Sequence, residues 1–244
     1  MHICIHEPGK YTIQEAPKEL KPNFSHADSD RTIPAEDALG RRIWNPDAGP
    51  VYWKLETDYP YIEGRKLEIK AIKKMFIQPS LLTELVIRQK KRSTADAEIV
   101  INFFDSKTEP IFKTNPNYLA FAYGPGPGIG GDITFNADRI WTLQGKPITA
   151  IEAFEAGIIT GYSNANNRLR TWDVQHTGTH EGLHTLGCNH LPGCKECVIY
   201  PYYNRQRLLQ KGDKDLLWSF YEKSSYAARL KYLFLSKVLP GVIA

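Results

Sequence analysis

The chain of 244 residues is 42% hydrophobic, 24% charged and 11% aromatic, an ordinary globular composition for one large domain or two small ones. Whole-chain disorder, collagen and fibre are excluded, and no apolar run approaches a bilayer span, so no transmembrane segment is expected. The 31 basic and 27 acidic residues leave only +4, too little to argue for nucleic acid, and four cysteines are too few for a disulfide-built scaffold.

The first residues, Met1-His2-Ile3-Cys4-Ile5-His6-Glu7, show neither a basic region nor a long apolar core, so no secretory leader is expected and location stays open. Residues 1–49 carry Pro8, Pro17, Pro22, Pro34 and Pro46, which interrupt every candidate helix. An extended arm is expected there, with a short turn of helix near 35–39. Residues 51–57 alternate like a half-buried strand. Leu67, Ala71, Ile72, Met75 and Phe76 then recur at helical spacing over 63–78, and Pro79 is expected to stop that helix. Strands are expected at 85–88 and 97–104, the second apolar enough for a central position. The basic run 88–92 reads as a solvated loop. Further strands are expected at 119–123 and 133–136, separated by a glycine-rich loop.

Residues 172–186 lack an amphipathic period, but their histidines are spaced for a helix. A capped helix is expected over 213–221. The tail at 226–244 is apolar and stops at Pro240-Gly241. Two readings stand for it: a helix docked on the domain, or a helix that binds a partner. The order of elements predicts an α+β domain over 50–222, with helices against a mixed, twisted sheet, flanked by the arm (1–49) and a helical tail (223–244).

The chemistry lies in His180-Glu181-Gly182-Leu183-His184-Thr185-Leu186-Gly187-Cys188-Asn189-His190. On a helix, His180 and His184 share one face and can grip one Zn²⁺. Glu181 follows the first ligand and can serve a water without being a ligand itself. Gly187 accepts the left-handed turn that ends the helix, and His190 returns as a third nitrogen donor. Three protein ligands leave a fourth position open, the mark of a catalytic zinc. His176 lies one turn earlier and reads as a packed or exposed residue.

This segment resembles the long zinc-binding signature of the metzincin metalloproteases. Residues 118–132, with Phe135 and Trp141, resemble the edge strand and glycine loop of the matrixin-like branch. Residues 197–203 resemble the turn beneath the zinc and the wall of the specificity pocket, and 97–103 the central strand. The resemblance spans about 50–222. It implies a metzincin-like catalytic domain with an active-site helix and a C-terminal helix. It implies zinc on His180, His184 and His190, with Glu181 as general base and acid. Leu119 and Ala120 fall where the family pairs with an extended peptide, and Pro201 and Tyr203 where it lines the pocket after the cut bond. Gly128 and Gly130 carbonyls with Asp132 and Glu98 carboxylates match a family Ca²⁺ site.

Several positions depart from the family pattern. Ile199 stands in place of the family's methionine. Gly182-Leu183 inverts the usual bulky-then-glycine order, putting a leucine where close packing is expected. Phe121 and Thr134 replace ligands of a second, structural zinc, which is expected to be missing. Asn136 and Arg139 replace acids of another calcium site. Cys194 and Cys197 echo the archaemetzincin branch, and with Cys188 they allow a disulfide, a metal site or three packed thiols. The implied function is a zinc-dependent endopeptidase. The alternative is a zinc-bound but inactive binding or structural module; an archaemetzincin-like aminopeptidase is a weaker third reading.

Overall fold

The computed structural model describes residues 2–5, 34–37, 39–57, 59, 65–90 and 97–239. The first strand, β1 (His2–Ile5), is followed by the short pair β2 (Pro34–Glu36) and β3 (Arg42–Trp44), then by β4 (Val51–Leu55). Helix α1 (Arg65–Leu82) leads to β5 (Ile87–Gln89), β6 (Ile99–Phe104), the short α2 (Pro110–Thr114), β7 (Tyr118–Ala122) and β8 (Ile133–Asn136). Small strands β9 (Trp141–Thr142), β10 (Ile148–Thr149), β11 (Arg168–Leu169) and β12 (Trp172–Asp173) bracket α3 (Ala150–Glu155). Three helices close the chain: α4 (Val174–Thr185), α5 (Lys211–Trp218) and α6 (Tyr226–Val238).

The main sheet has six strands in the order β1-β7-β8-β6-β4-β5. β5, β4, β6 and β8 run parallel, while β7 and β1 are antiparallel to their neighbours. This is the mixed sheet of an α+β domain. β6 lies between β4 and β8 and is buried on both faces, as its apolar run predicts. Phe103 and Phe135 are cross-strand partners and stack with centroids 4.7 Å apart, pinning the β6–β8 register. Trp44, Ile101, Leu119, Trp141 and Leu183 fill the core between sheet and helices.

α1 does not stop at Pro79 but runs on to Leu82. Proline removes one amide donor, but the last turn is held by other means. The Thr83 amide and hydroxyl both donate to the Pro79 carbonyl at 2.9 Å, and Leu82 is buried in the core. Tertiary packing outweighs the local penalty.

The turn of helix expected at 35–39 is also corrected. Residues 34–36 form a strand paired with β3. The Asp37 carboxylate accepts the Leu39 and Arg41 amides, each at 2.9 Å, and Gly40 adopts φ +71°. That side-chain capture makes a reverse turn, not a helix. The expected 213–221 helix begins two residues earlier, at Lys211, where the Asp213 carboxylate accepts the Gln210 amide at 2.8 Å.

Candidate metal centre

Helix α4 is set by Asp173, whose Oδ1 accepts the amides of Gln175 (2.9 Å) and His176 (3.1 Å). Oδ2 of the same carboxylate pairs with Arg207, whose Nε donates at 2.6 Å. Burial pushes the Asp173 carboxyl above its usual range, and Arg207 opposes that. Every residue of α4 is buried. A helix so enclosed needs room, and glycines supply it. A Cβ on Gly178 would lie 2.9 Å from Met75 Sδ, and one on Gly182 3.6 Å from Phe76 Cε1. These two positions, one turn apart, let α4 cross α1 closely. Leu183 points elsewhere and is wholly buried in the core. The inverted Gly182-Leu183 order is thus accommodated.

Gly187 takes φ +91° and ends the helix, as its place in the sequence predicts. The Cys188 amide bonds back to the Leu183 carbonyl at 3.1 Å, and the chain returns with His190. Nε2 of His180, His184 and His190 lie 3.1 Å from one another in all three pairs. His180 Nδ1 stands 2.7 Å from the Val198 carbonyl oxygen, and His184 Nδ1 2.6 Å from that of Cys188. A carbonyl only accepts, so each Nδ1 carries the hydrogen and each Nε2 keeps its lone pair. Burial pushes His190 down to about 4, which also favours the neutral ring.

Lone pairs converging on one point repel unless a cation lies among them. In a tetrahedral site with Zn–N of about 2.0–2.1 Å, donor nitrogens are about 3.3–3.4 Å apart. The observed spacing fits that donor set closely. Among the described residues, this trio is the one group of three or more His, Cys, Asp or Glu side chains that could hold an ion. Glu181 is buried on the same helix, directly after the first histidine of the trio.

Residues 43–222 match the family described as Matrixin, which is most of the chain. The chain belongs to the matrixin family. It is 30% identical over 132 residues to macrophage metalloelastase of Oryctolagus cuniculus, covering 52% of this chain and 27% of that protein. Against matrix metalloproteinase-16 of Homo sapiens the identity is 32% over 111 residues, 40% of this chain and 18% of the relative. Against matrilysin of Mus musculus it is 29% over 153 residues, 61% and 46%. The match thus spans less than half the length of each of these relatives. Matrixins are metalloproteases with a catalytic zinc and structural calcium.

The other residues singled out in this matrixin's sequence divide into groups. Leu119 and Ala120 are buried on β7, but β7 is not the outer strand of the described sheet. β1 pairs antiparallel along it, with Cys4 opposite Ala120 and His2 opposite Ala122. Nothing in the local pattern of residues 1–49 announces that pairing. Pro201 is buried. Tyr203 is fixed against α4: its hydroxyl accepts the Asp173 amide at 3.0 Å, and its ring meets His176 edge-on at 4.8 Å. His176 is a packed residue, fully buried, with Nδ1 on the Gln206 carbonyl.

Glu98 and Asp132 each hold a strand amide. Glu98 Oε2 accepts from Tyr52 at 2.6 Å, and Asp132 Oδ1 from Val100 at 2.9 Å. Gly128 adopts φ +66° in the loop before Asp132. Phe121 packs with Ile111 and Phe112 in a small apolar cluster. Ile199 is buried in the core. Cys194 and Cys197 form a disulfide, while Cys188 is a buried free thiol, which resolves the three readings of the cysteines.

Sequence reasoning missed the carboxylate beneath the site. Asp213 is wholly buried and accepts the amides of Val198, Ile199 and Gln210 at 3.0, 3.0 and 2.8 Å. It holds the strand of chain whose Val198 carbonyl orients His180. In the sequence Asp213 stands only as the first residue of the expected 213–221 helix, a local reading. Its pairing with 198–199 is tertiary.

Proposed function

We propose that this matrixin is a zinc-dependent endopeptidase that hydrolyses peptide bonds with Glu181 as general base and acid. The observation that carries the reading is the meeting of three Nε2 lone pairs at 3.1 Å, with both helix rings fixed through Nδ1. His180, His184 and His190 would hold the ion. Zn²⁺ there supplies Lewis acidity toward a water and the scissile carbonyl. Glu181 removes a proton from the attacking water and passes it to the leaving amine. Leu119 and Ala120 hydrogen-bond an extended peptide through their backbone, and Pro201 and Tyr203 border the pocket for the side chain after the cut. Carbonyls of Gly128 and Gly130, with Glu98 and Asp132, are the proposed calcium ligands.

One observation favours a second reading, a zinc-holding module without turnover: the outer edge of β7 already carries β1. A substrate that needs this edge must take the place of β1. Cleavage of a peptide library, with and without chelator, separates the two. Turnover that stops on chelation supports the peptidase; peptide binding without cleavage supports the module.

A further inference from the structure

We propose that α6 is a peripheral docking helix for an anionic lipid surface. The helix lies beyond the matrixin match, which ends at residue 222. Among the described residues it is held by one side. Tyr232 is 2% exposed, and its hydroxyl donates to the Leu209 carbonyl at 3.2 Å. Ser225 caps the first turn through the Ala228 amide.

The opposite side is mostly apolar and exposed, with Lys237 set among its apolar side chains. Tyr226, Leu230, Leu233, Phe234 and Val238 are 70%, 46%, 47%, 55% and 58% exposed. Their spacing of four, three, one and four residues places them on one helical face. Five large apolar side chains on one face of a 13-residue helix exceed the scattered exposure of an ordinary surface.

Charge identifies the occupant. From residue 223 to 244 the sequence holds Lys223, Arg229, Lys231 and Lys237 and no acidic residue; Glu222 is the last. Lys231 and Lys237 are exposed on α6 itself. Lys223, exposed just before the helix, lies over Trp218, and Lys214 lies over the ring of the inward-facing Tyr232. The carboxylates of Glu84 and Glu222 sit at the start of this region, where the Glu222 amide bonds Glu84 Oε1. A second copy seated on this face would bring the like charges of Lys231 and Lys237 toward those of its neighbour. An anionic headgroup layer neutralises them, while the aliphatic and aromatic side chains enter the boundary beneath. Exposed lysine stems can follow, with their ammonium groups left at headgroup level.

The test is co-sedimentation of the zinc-loaded full chain with vesicles of phosphatidylcholine alone or mixed with phosphatidylserine. Leu233→Glu/Phe234→Glu and Lys231→Glu/Lys237→Glu proteins serve as variants, with circular dichroism to verify the fold. All four side chains are exposed, so the fold should survive. Binding should require phosphatidylserine, weaken as salt rises, and fall about tenfold or more in either variant. Absence of binding to phosphatidylserine vesicles at low salt overturns the proposal. So does binding that both variants retain in full. Self-association that Phe234→Glu abolishes, without vesicle binding, assigns the face to a second copy and equally overturns it.

Discussion

His180 and Val198 form the pivot of the site: the ring's Nδ1 donates to the Val198 carbonyl at 2.7 Å, and the Val198 amide donates in turn to Asp213 at 3.0 Å. One carboxylate, 33 residues further along the chain, therefore holds the segment that orients an imidazole of the candidate metal trio.

Asp213→Asn tests this relay. The amide's NH₂ would face a backbone N–H, leaving at least one buried donor unsatisfied. A stability loss of about 1–3 kcal/mol is expected. Zinc affinity should fall about 10–100-fold, the usual cost of losing support behind a ligand. Thermal melts and competitive chelator titration measure the two effects. Unchanged zinc affinity would show that Asp213 serves the fold alone.

The α1–α4 crossing predicts opposite outcomes at two glycines. At Gly182 a Cβ meets its nearest atoms at 3.6–3.9 Å, an ordinary contact. Gly182→Ala should therefore raise stability by up to about 1 kcal/mol through helix propensity. At Gly178 the Cβ would sit 2.9 Å from Met75 Sδ. Gly178→Val should overpack the crossing and cost about 1–3 kcal/mol. Urea midpoints of the two variants should move in opposite directions.

His176 makes stability depend on pH. Burial holds this ring down to about 4, against 6.5 when exposed, with the Gln206 carbonyl partly countering. A depressed folded value means that the unfolded chain binds the proton first. The contribution is therefore complete above pH 6.5 and is lost as pH falls toward 4. Across that interval it amounts to roughly 3 kcal/mol. His176→Phe should lower stability at pH 7.5, through loss of the Gln206 bond, yet flatten the decline between pH 7 and 5. Parallel pH profiles for the two proteins would contradict the assignment.

The β1–β7 pairing predicts competition. Peptides are proposed to use the same strand edge that residues 2–5 now occupy. A protein lacking residues 1–5 should show a lower KM for peptides with kcat little changed. An unaltered KM would mean that substrates bypass this edge.

Much of the centre was legible because its information is local. His180 and His184 declare themselves by one helical turn, and Gly187 by the conformation that only glycine takes cheaply. The central strand 99–104 shows its burial in an apolar run broken only by Asn102. What stayed hidden depends on distant partners. Pro79 looks like a stop until Thr83 and the packing of Leu82 are seen. Residues 34–36 become a strand through β3 and the Asp37 turn. Neither β1 on β7 nor Asp213 under Val198 leaves any periodic trace, since each contact joins segments far apart in the chain.

The most direct test of the central claim compares wild type with Glu181→Gln for zinc content and peptide turnover. The account predicts one zinc per chain in both proteins, chelator-sensitive cleavage by wild type, and a loss of about 10²–10⁴-fold or more in the variant. A Glu181→Gln protein that cleaves at the wild-type rate, or a zinc-loaded wild type that cleaves no peptide, would contradict it.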